Sequence, residues 1–523
     1  MSAVLTKTPE EWAKEAKPLY QKLRAEADKF RDRARTFSKI TIPALLPDDS
    51  SDTSSDSMSW GYSSEGAIGV NHLSNVYISR MFPPNRSFFK LDPTPQGKEE
   101  LGKARDEGTL VRGLAMIERN AMKHISDIKA RPVLLETLQH LIVSGNILLH
   151  KIKQGPLMLY TIDNFVVRRD QTGEIMTMIT KDTTYLMALE ESVRNQIILE
   201  MQIKEDEITA KTVDIYNYIE RIAQDQYIHV VVAETIFTGE TGTYKKDNLR
   251  WEPLVWKRYR KENYGRSLVE EVYNALYTHD VCTEVYLKAA AISADIKFFV
   301  DRTAGIDIEK VNKSESGSYH YKNSSQGNAI EAAQVNKVTD LQLSFNMIEK
   351  LERTLGQVFL RMASVIRDAE RVTADENRML AQELDQAHGG VFSMLGSTLQ
   401  RRLAEWTLED IGASIADGQT VDMIITTGID ALGRNAEAEQ LVLFMNDTAI
   451  LNNVPEDVRA RLKMSNFLTR LGVGRDIPID EVILTEEEYQ QQLQQKQQQQ
   501  MQAAQMQQAG MPQAVPGQPG PQL

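Results

Sequence analysis

Two long helical patterns, separated by a short charged break between Thr339 and Trp406, constrain this chain more than any other stretch. The first has its apolar positions at Leu341, Phe345, Ile348, Leu355, Val358, Met362 and Ile366. Gaps of three, four and seven keep one helix face dry and the other wet. The second runs through Leu380, Leu384, Ala387, Val391, Leu395, Leu399, Leu403 and Trp406. Between them stand Arg367, Asp368, Glu370 and Arg371, then Thr373 and Glu376 at the spacing of a capping box. The Thr hydroxyl accepts from the amide three residues on, and the Glu carboxylate accepts from the amide of Thr373. That arrangement starts a new helix, so a break is expected just before it. A first helix over 341–366 would be about 39 Å long at ~1.5 Å per residue, a rod that a small globular enzyme rarely needs.

A second rod lies upstream. From Gly265 a helical pattern with Leu268, Val272, Leu276, Val285, Leu287 and Ile292 extends to about Ile296. Phe298, Phe299 and Val300 then read as a short strand, and 301–337 as a polar excursion of strands and loops. Two long helices thus flank a compact insertion, like a hairpin with a decorated tip. Before them, 9–38 reads as a solvated helix with Trp12, Ala16, Leu19, Leu23, Ala27 and Phe30 on its dry stripe and Pro18 as a possible kink. Further helices are expected around Leu73 and Tyr77, over 99–126 and over 132–145, the last ending at a left-handed cap on Gly145-Asn146. Strand texture fills 157–260, with strands expected at 158–168, 175–180, 213–221 and 227–237, a turn at 170–173 and a helix over 186–205. The fold class is α+β, mainly helical. After Trp406 a small helical domain is expected to about residue 488, and then a Gln- and Pro-rich tail with too little apolar surface to fold.

Chemistry is conspicuous by what the motifs exclude. There is no Gly-x-x-x-x-Gly-Lys-Ser/Thr phosphate loop, no His-Glu-x-x-His and no Gly-x-Ser-x-Gly, and the eight histidines are scattered. No catalytic residue, metal ligand or cofactor site is assigned, and the expectation is a protein that is not an enzyme. Cys282, the single cysteine, excludes an intrachain disulfide framework. No apolar run approaches the ~18 residues of a membrane span, and the first residues lack the apolar core of a signal peptide. The net charge of −13 argues against gripping nucleic acid over the whole surface, since tight binding needs many basic phosphate contacts. It is compatible with a wall past which DNA slides, steered by a few placed arginines. Arg361, Arg367 and Arg371 admit two readings: pairing with Asp368, Glu370 or Glu376 on a solvated turn, or exposure at a helix break towards a polyanion.

The passage Arg371-Val-Thr-Ala-Asp-Glu-Asn-Arg378, followed by Gln382-Glu-Leu384 and Gly389-Gly-Val-Phe-Ser393, resembles the portal, or head-to-tail connector, proteins of short-tailed double-stranded DNA bacteriophages. The resemblance continues in order through Thr41-Ile-Pro-Ala-Leu-Leu-Pro47, Val143-Ser-Gly-Asn-Ile-Leu-Leu149, Tyr264-Gly-Arg-Ser267 with Glu270 and Glu271, Thr427-Gly-Ile-Asp-Ala-Leu-Gly-Arg434 and Ile483-Leu-Thr-Glu-Glu487. It covers nearly the whole chain. Each motif is weak alone; their ordered recurrence is not.

The resemblance implies a portal-type fold with wing, stem, clip and crown, assembling as a dodecameric ring around a central channel. The wing would be 1–265 plus a long kinked helix over 373–407. The stem helices would be 266–297 and 339–362, the clip 298–338, the tunnel loop 363–372 and the crown 408–488, with 489–523 a largely disordered tail. The tunnel loop would offer Arg361, Arg367 and Arg371 to DNA, with Arg367 raised above the solvated-turn reading. The clip would dock motor and adaptor through Lys310, Lys313, Tyr319, Tyr321 and Lys322. Thr373 and Glu376 would cap the wing helix, and Gly389 and Gly390 would bend it. The implied partners are other copies of the chain, double-stranded DNA, a terminase, a tail adaptor, and the major capsid, scaffolding and internal core proteins, with no membrane. The place would be the head–tail junction of the virion, at a capsid vertex, after synthesis in the host cytoplasm. A DNA-processing enzyme and a monomeric adaptor are the competing classes. The first would need a phosphate loop or an acidic metal cluster, the second no ring.

Overall fold

The computed structural model describes residues 7–47, 61–84, 87–94, 107–204, 207–294, 297–300, 309–310, 313, 330–333, 338–361, 389–413 and 421–425. The chain divides into Met1–Gly428 and Ile429–Leu523, and every described residue belongs to the first unit.

Helix α1 (Pro9–Lys39) begins at a capping box: Thr8 Oγ accepts from the Glu11 N–H and Glu11 accepts from the Thr8 N–H, with Pro9 at the first helical position. The helix continues through Pro18. Its buried stripe, Trp12, Ala13, Ala16, Tyr20, Leu23 and Ala27, lies on a five-stranded antiparallel sheet, order β4-β5-β6-β7-β8. The strands are β4 (Phe165–Arg169), β5 (Ile175–Tyr185), β6 (Thr212–Ala223), β7 (Gln226–Ala233) and β8 (Ile236–Lys245), with helix α5 (Glu191–Met201) between β5 and β6. Trp12 meets Tyr218 and Tyr20 meets Tyr216 at ring-centroid distances of 5.5 and 5.4 Å. Alternation along β6 sends Tyr216 and Tyr218 to this face and Ile219 to the other. There Ile219, Met178, Phe165 and Tyr227 join Trp251 and Tyr160. These last two come from a three-stranded sheet, β3-β2-β9, made of β2 (Asn146–Lys151), β3 (Leu157–Tyr160) and β9 (Trp251–Val255).

The helical side is built by α2 (Glu65–Met81), α3 (Glu107–Asp127), α4 (Ala130–Ser144) and helical residues 389–395. A widened turn, Gly396–Gln400, then leads into α8 (Arg401–Asp410). Leu73, Tyr77, Leu138, Leu141, Leu395 and Leu399 share its core. Gly145 caps α4 in the left-handed conformation at φ 74°, and a Cβ there would stand 2.6 Å from the Arg266 carbonyl carbon, so only glycine fits. Two polar anchors fix the end of the chain's helical layer: Gln400 Nε2 donates to the Met81 carbonyl at 2.6 Å, and Trp406 Nε1 to the Leu249 carbonyl at 2.9 Å. A buried ion cluster does the same for α8. Lys151 Nζ contacts Asp410 Oδ2 at 2.5 Å, and Arg250 reaches Asp410 Oδ1 at 2.9 Å and Glu409 at 2.8 Å, with the Lys151 and Asp410 side chains fully enclosed. Burial pushes the Asp410 carboxyl up, but Lys151, the Gln154 N–H and Arg250 outweigh it and hold the group below the ordinary carboxylate range.

The two long rods are α6 (Leu268–Ala294) and α7 (Val338–Val358), joined by an antiparallel ribbon of β10 (Lys297–Val300) and β11 (Ile330–Ala333). The hairpin layout expected from the sequence is therefore present. The helix expected over 341–366 is shorter: it ends at Val358, not near Ile366. Apolar periodicity could not reveal this, because Phe359 and Leu360 continue the dry face while leaving the helix.

Other expected elements also change. The strand over 158–168 is two strands around a turn closed by the Asn164 N–H on the Thr161 carbonyl. The strand over 227–237 is β7 and part of β8, hinged at Glu234 with φ 58°. Gly389 and Gly390 open a described helical stretch, and the irregular turn among the described residues is Gly396–Gln400, where the Arg401 N–H reaches back to the Gly396 carbonyl. The wing boundary expected at 407 falls inside α8. Beyond it, β12 (Val421–Ile425) pairs antiparallel with β1 (Phe89–Pro93), so the first compact unit reaches Gly428. A hydrophobic stripe marks where a helix is dry but not which distant strand will claim the chain after it.

Candidate functional site

The paired helices α6 and α7 start from a fixed root. Ser267 Oγ accepts from the Glu270 N–H at 2.9 Å and caps α6, with Glu270 and Glu271 in the first turn where the helix dipole favours acids. Asn146 clamps Gly265, two residues before Ser267, its Oδ1 taking the Gly265 N–H at 2.6 Å and its amide reaching the Gly265 carbonyl at 2.8 Å. Leu268, Val269 and Leu276 are buried in the main core, as are Leu355, Phe359 and Leu360 from the far end of α7.

α7 stops in a Schellman turn. The Arg361 N–H bonds the Gly356 carbonyl at 2.7 Å and the Leu360 N–H the Gln357 carbonyl at 3.2 Å, with Leu360 left-handed at φ 57°. A leucine in that conformation costs roughly 1–2 kcal/mol. What holds it is the packing around it. The Phe359 ring lies on Gly69 of α2, where an added Cβ would sit 2.5 Å from the ring, and the Leu360 carbonyl bonds His72 Nε2 at 3.2 Å. Arg361 is ion-paired with Glu65 in the first turn of α2. Burial, with Arg361 close by, holds the His72 imidazole below its ordinary pKa against the pull of the Leu360 carbonyl.

A second fastening lies further along. His279 of α6 is buried, with Nδ1 2.7 Å from Ser63 Oγ and Nε2 3.5 Å from Glu352 of α7. Asp280 accepts from the Ser63 N–H at 2.7 Å. The segment before α2 is thereby strapped to α6, and His279 ties α6 to α7.

Alongside the His279 fastening and beyond it, the character of the rods changes. Tyr277, Val281 and Val285 recur every fourth residue on α6 and form one stripe. Tyr277 is 52% exposed and Val285 53%. On α7 Leu343 is 71% exposed, and Phe345 and Met347 are about half exposed. Phe345 also meets Tyr286 of α6, with ring centroids 6.3 Å apart. Exposed large apolar residues on two neighbouring helices are the kind of surface that partners cover.

Of the residues singled out from the sequence, Arg361 is placed at the root, engaged by Glu65. Lys313 lies 3.8 Å from Glu309 with both side chains exposed, and Lys310 is also exposed. Gly389 and Gly390 precede the widened turn, and Gly390 has open space around its α-carbon. Arg367, Arg371, Thr373, Glu376, Tyr319, Tyr321 and Lys322 lie outside the described residues. Sequence reasoning missed Glu65, His72, His279 and Asp280, because each acts on a partner far along the chain. It also missed Lys151–Asp410, although a lysine closing the run Ile147-Leu-Leu-His-Lys151 was a signal of a buried charge needing a mate. Among the described residues no His, Cys, Asp and Glu group is arranged to hold a metal, and no helix is long and apolar enough to cross a membrane.

Residues 13–479 match the family model described as bacteriophage head to tail connecting protein. The portal protein of Enterobacteria phage SP6 is 30% identical over 488 residues, which cover 91% of this chain and 91% of that protein. The portal protein of Escherichia phage T7 is 28% identical over 490 residues, covering 91% and 90%. Among solved structures, the neck of an empty gene transfer agent particle aligns over 75% of this chain and 90% of that chain, with 11% identity and a TM-score of 0.37.

Proposed function

This chain belongs to the bacteriophage head to tail connecting protein family, and from that premise we propose that it is a portal: a ring of identical copies, twelve in the particle, set at one capsid vertex around a channel for the genome. A family of connectors supplies structure rather than catalysis, and the chain is not an enzyme. The observation that carries the ring is the change along the helix pair, buried at its root and apolar but uncovered beyond Tyr277. Copies packed side by side would cover that stripe on each rod.

In this reading α6 and α7 are the stem and the ribbon β10–β11 opens the clip. The clip's Lys310, Lys313, Tyr319, Tyr321 and Lys322 face the terminase during packaging and the tail adaptor afterwards. The tunnel loop 363–372 presents Arg367 and Arg371 to passing DNA, and the crown lies within 408–488. The acidic balance of the chain keeps most of the wall repelling phosphate, so a duplex slides while the arginine ring centres it. Movement is driven by a separate ATPase. The major capsid, scaffolding and internal core proteins complete the surroundings.

Light scattering on the purified full-length chain tests the ring. The reading expects a mass of many copies, and a monomer that persists even when scaffolding protein is supplied would contradict it. For the tunnel loop, Arg367→Ala is expected to assemble normally yet give fewer filled particles. Wild-type yields of filled, infectious particles would remove Arg367 from the mechanism.

A further inference from the structure

In a chain with a net charge of −13, the loop between β9 and α6 carries Lys257-Arg-Tyr-Arg-Lys261, four basic residues in five around one tyrosine. The loop is held firmly at both ends. Trp256 and Tyr264 are buried on either side of it, and the Arg266 N–H closes its neck on the Lys257 carbonyl at 2.7 Å. Asn263 and the Tyr264 hydroxyl bond the Arg169 and Val167 N–H groups of edge strand β4 at 3.0 and 3.2 Å, fixing the loop against the large sheet. Lys261 is left-handed at φ 76°, a strain kept at the tip of an otherwise anchored loop.

The acids close to this loop are already taken. Glu262 and Glu270 both engage Arg266, and Glu271 engages Lys257 at 2.7 Å. Arg260 and Lys261 are exposed and, among the described residues, hold no hydrogen bond or ion pair. Tyr259 stands between the basic side chains, 50% exposed, with Lys257 Nζ 5.6 Å from its ring. Arg258 lies over Gly173, and Arg168 is exposed on β4 beside Arg169.

We propose that this loop binds the phosphate backbone of double-stranded DNA, at a site separate from the channel loop. The uncommitted Arg260 and Lys261 side chains supply the charge, and the half-exposed Tyr259 beside Lys257 adds a neutral hydroxyl donor of the kind that phosphate contacts use. The contact carries no sequence preference, because nothing in the loop is built to reach base edges in register. An acidic protein segment is the competing occupant. A half-exposed tyrosine among uncommitted cations suits a phosphate backbone better than a carboxylate run, which needs only the cations.

Closed circular duplex DNA cannot thread through a ring, so it isolates this loop from the channel and from the portal reading. The full-length protein is titrated against closed circular DNA and, separately, against polyglutamate across a range of salt. The wild type is expected to bind the DNA with a log–log salt dependence. Arg260→Glu with Lys261→Glu should bind about tenfold or more weakly at 0.1 M salt, with the slope reduced by about 2. Tyr259→Phe should weaken binding less and leave the slope unchanged. Circular dichroism on each variant confirms the fold, and Arg260→Ala offers a milder change. Equal DNA binding by wild type and the folded double variant overturns the proposal, as does tight polyglutamate binding without DNA binding.

Discussion

The helix pair and the two sheets solve the same problem in opposite ways. In the sheets the inner faces are closed within one chain: α1 covers one face of the five-stranded sheet, the three-stranded sheet lies on the other, and even the edge strand β4 finds acceptors in Asn263 and Tyr264, while Tyr185 and Tyr244 stay exposed. In the helix pair only the root is closed, by Phe359, His72, Arg361–Glu65 and His279. From Tyr277 outward the pair leaves Tyr277, Val285 and Leu343 to solvent, with Phe345 half exposed beside Tyr286. A region that saturates its own contacts supports; one that does not is waiting for another copy or partner. Stability and assembly should therefore respond to different residues.

The largest effect on stability is expected at the buried ion cluster. Asp410→Ala leaves Lys151 enclosed with two backbone carbonyls, Ile152 and Gly155, and no carboxylate. Breaking such a pair costs about 3–5 kcal/mol, read as a lower midpoint in urea unfolding. Gly69→Ala should cost about 1–3 kcal/mol by pressing a methyl into the Phe359 ring. It strikes the root, so it should also loosen the seating of α7. Amide exchange over 350–361 that stays as slow as in the wild type would argue that Gly69 is not the seat.

Acid separates the two regions further. Burial lowers the His140 and His229 imidazoles to about 4 and His150 to about 3, and His150 is stacked on Trp251 at 3.5 Å. All three lie in α4, β2 and β7, away from the distal rods. Their folded pKa values sit below the ordinary 6.5, so the unfolded chain binds more protons. Stability from them is full above about pH 6.5 and falls towards pH 4, by up to about 1.4 kcal/mol per pH unit for each group. Unfolding midpoints compared at pH 7 and pH 5 check the sign; an unchanged or higher midpoint at pH 5 would contradict the burial of these rings as the cause. The smallest stability change belongs to the stripe: Val281→Ser and Val285→Ser should each shift the isolated chain by less than about 0.5 kcal/mol, while impairing assembly.

The sequence showed the rods, the ribbon between them and the α1 stripe, because each repeats a local period over many residues. Gly145 could be read as a cap because the need for a left-handed residue is local. What stayed hidden was set at long range. Phe359 and Leu360 look like more helix, and only the approach of Gly69 and His72 ends it. Leu408 and Asp410 look like the start of another domain, until Lys151 and Arg250 claim the acid and β1 claims 421–425. The basic run at 257–261 is local in the sequence but was not singled out there, because its significance rests on which neighbouring acids are already taken.

The central claim is that the distal halves of α6 and α7 are buried between copies around an opening. A three-dimensional electron-microscopy reconstruction of the purified full-length assembly tests it most directly. The account predicts a closed ring with Tyr277, Val281 and Val285 of each copy covered by its neighbour and a passage along the axis. A reconstruction with those three side chains facing solvent, or with no central opening, would contradict it.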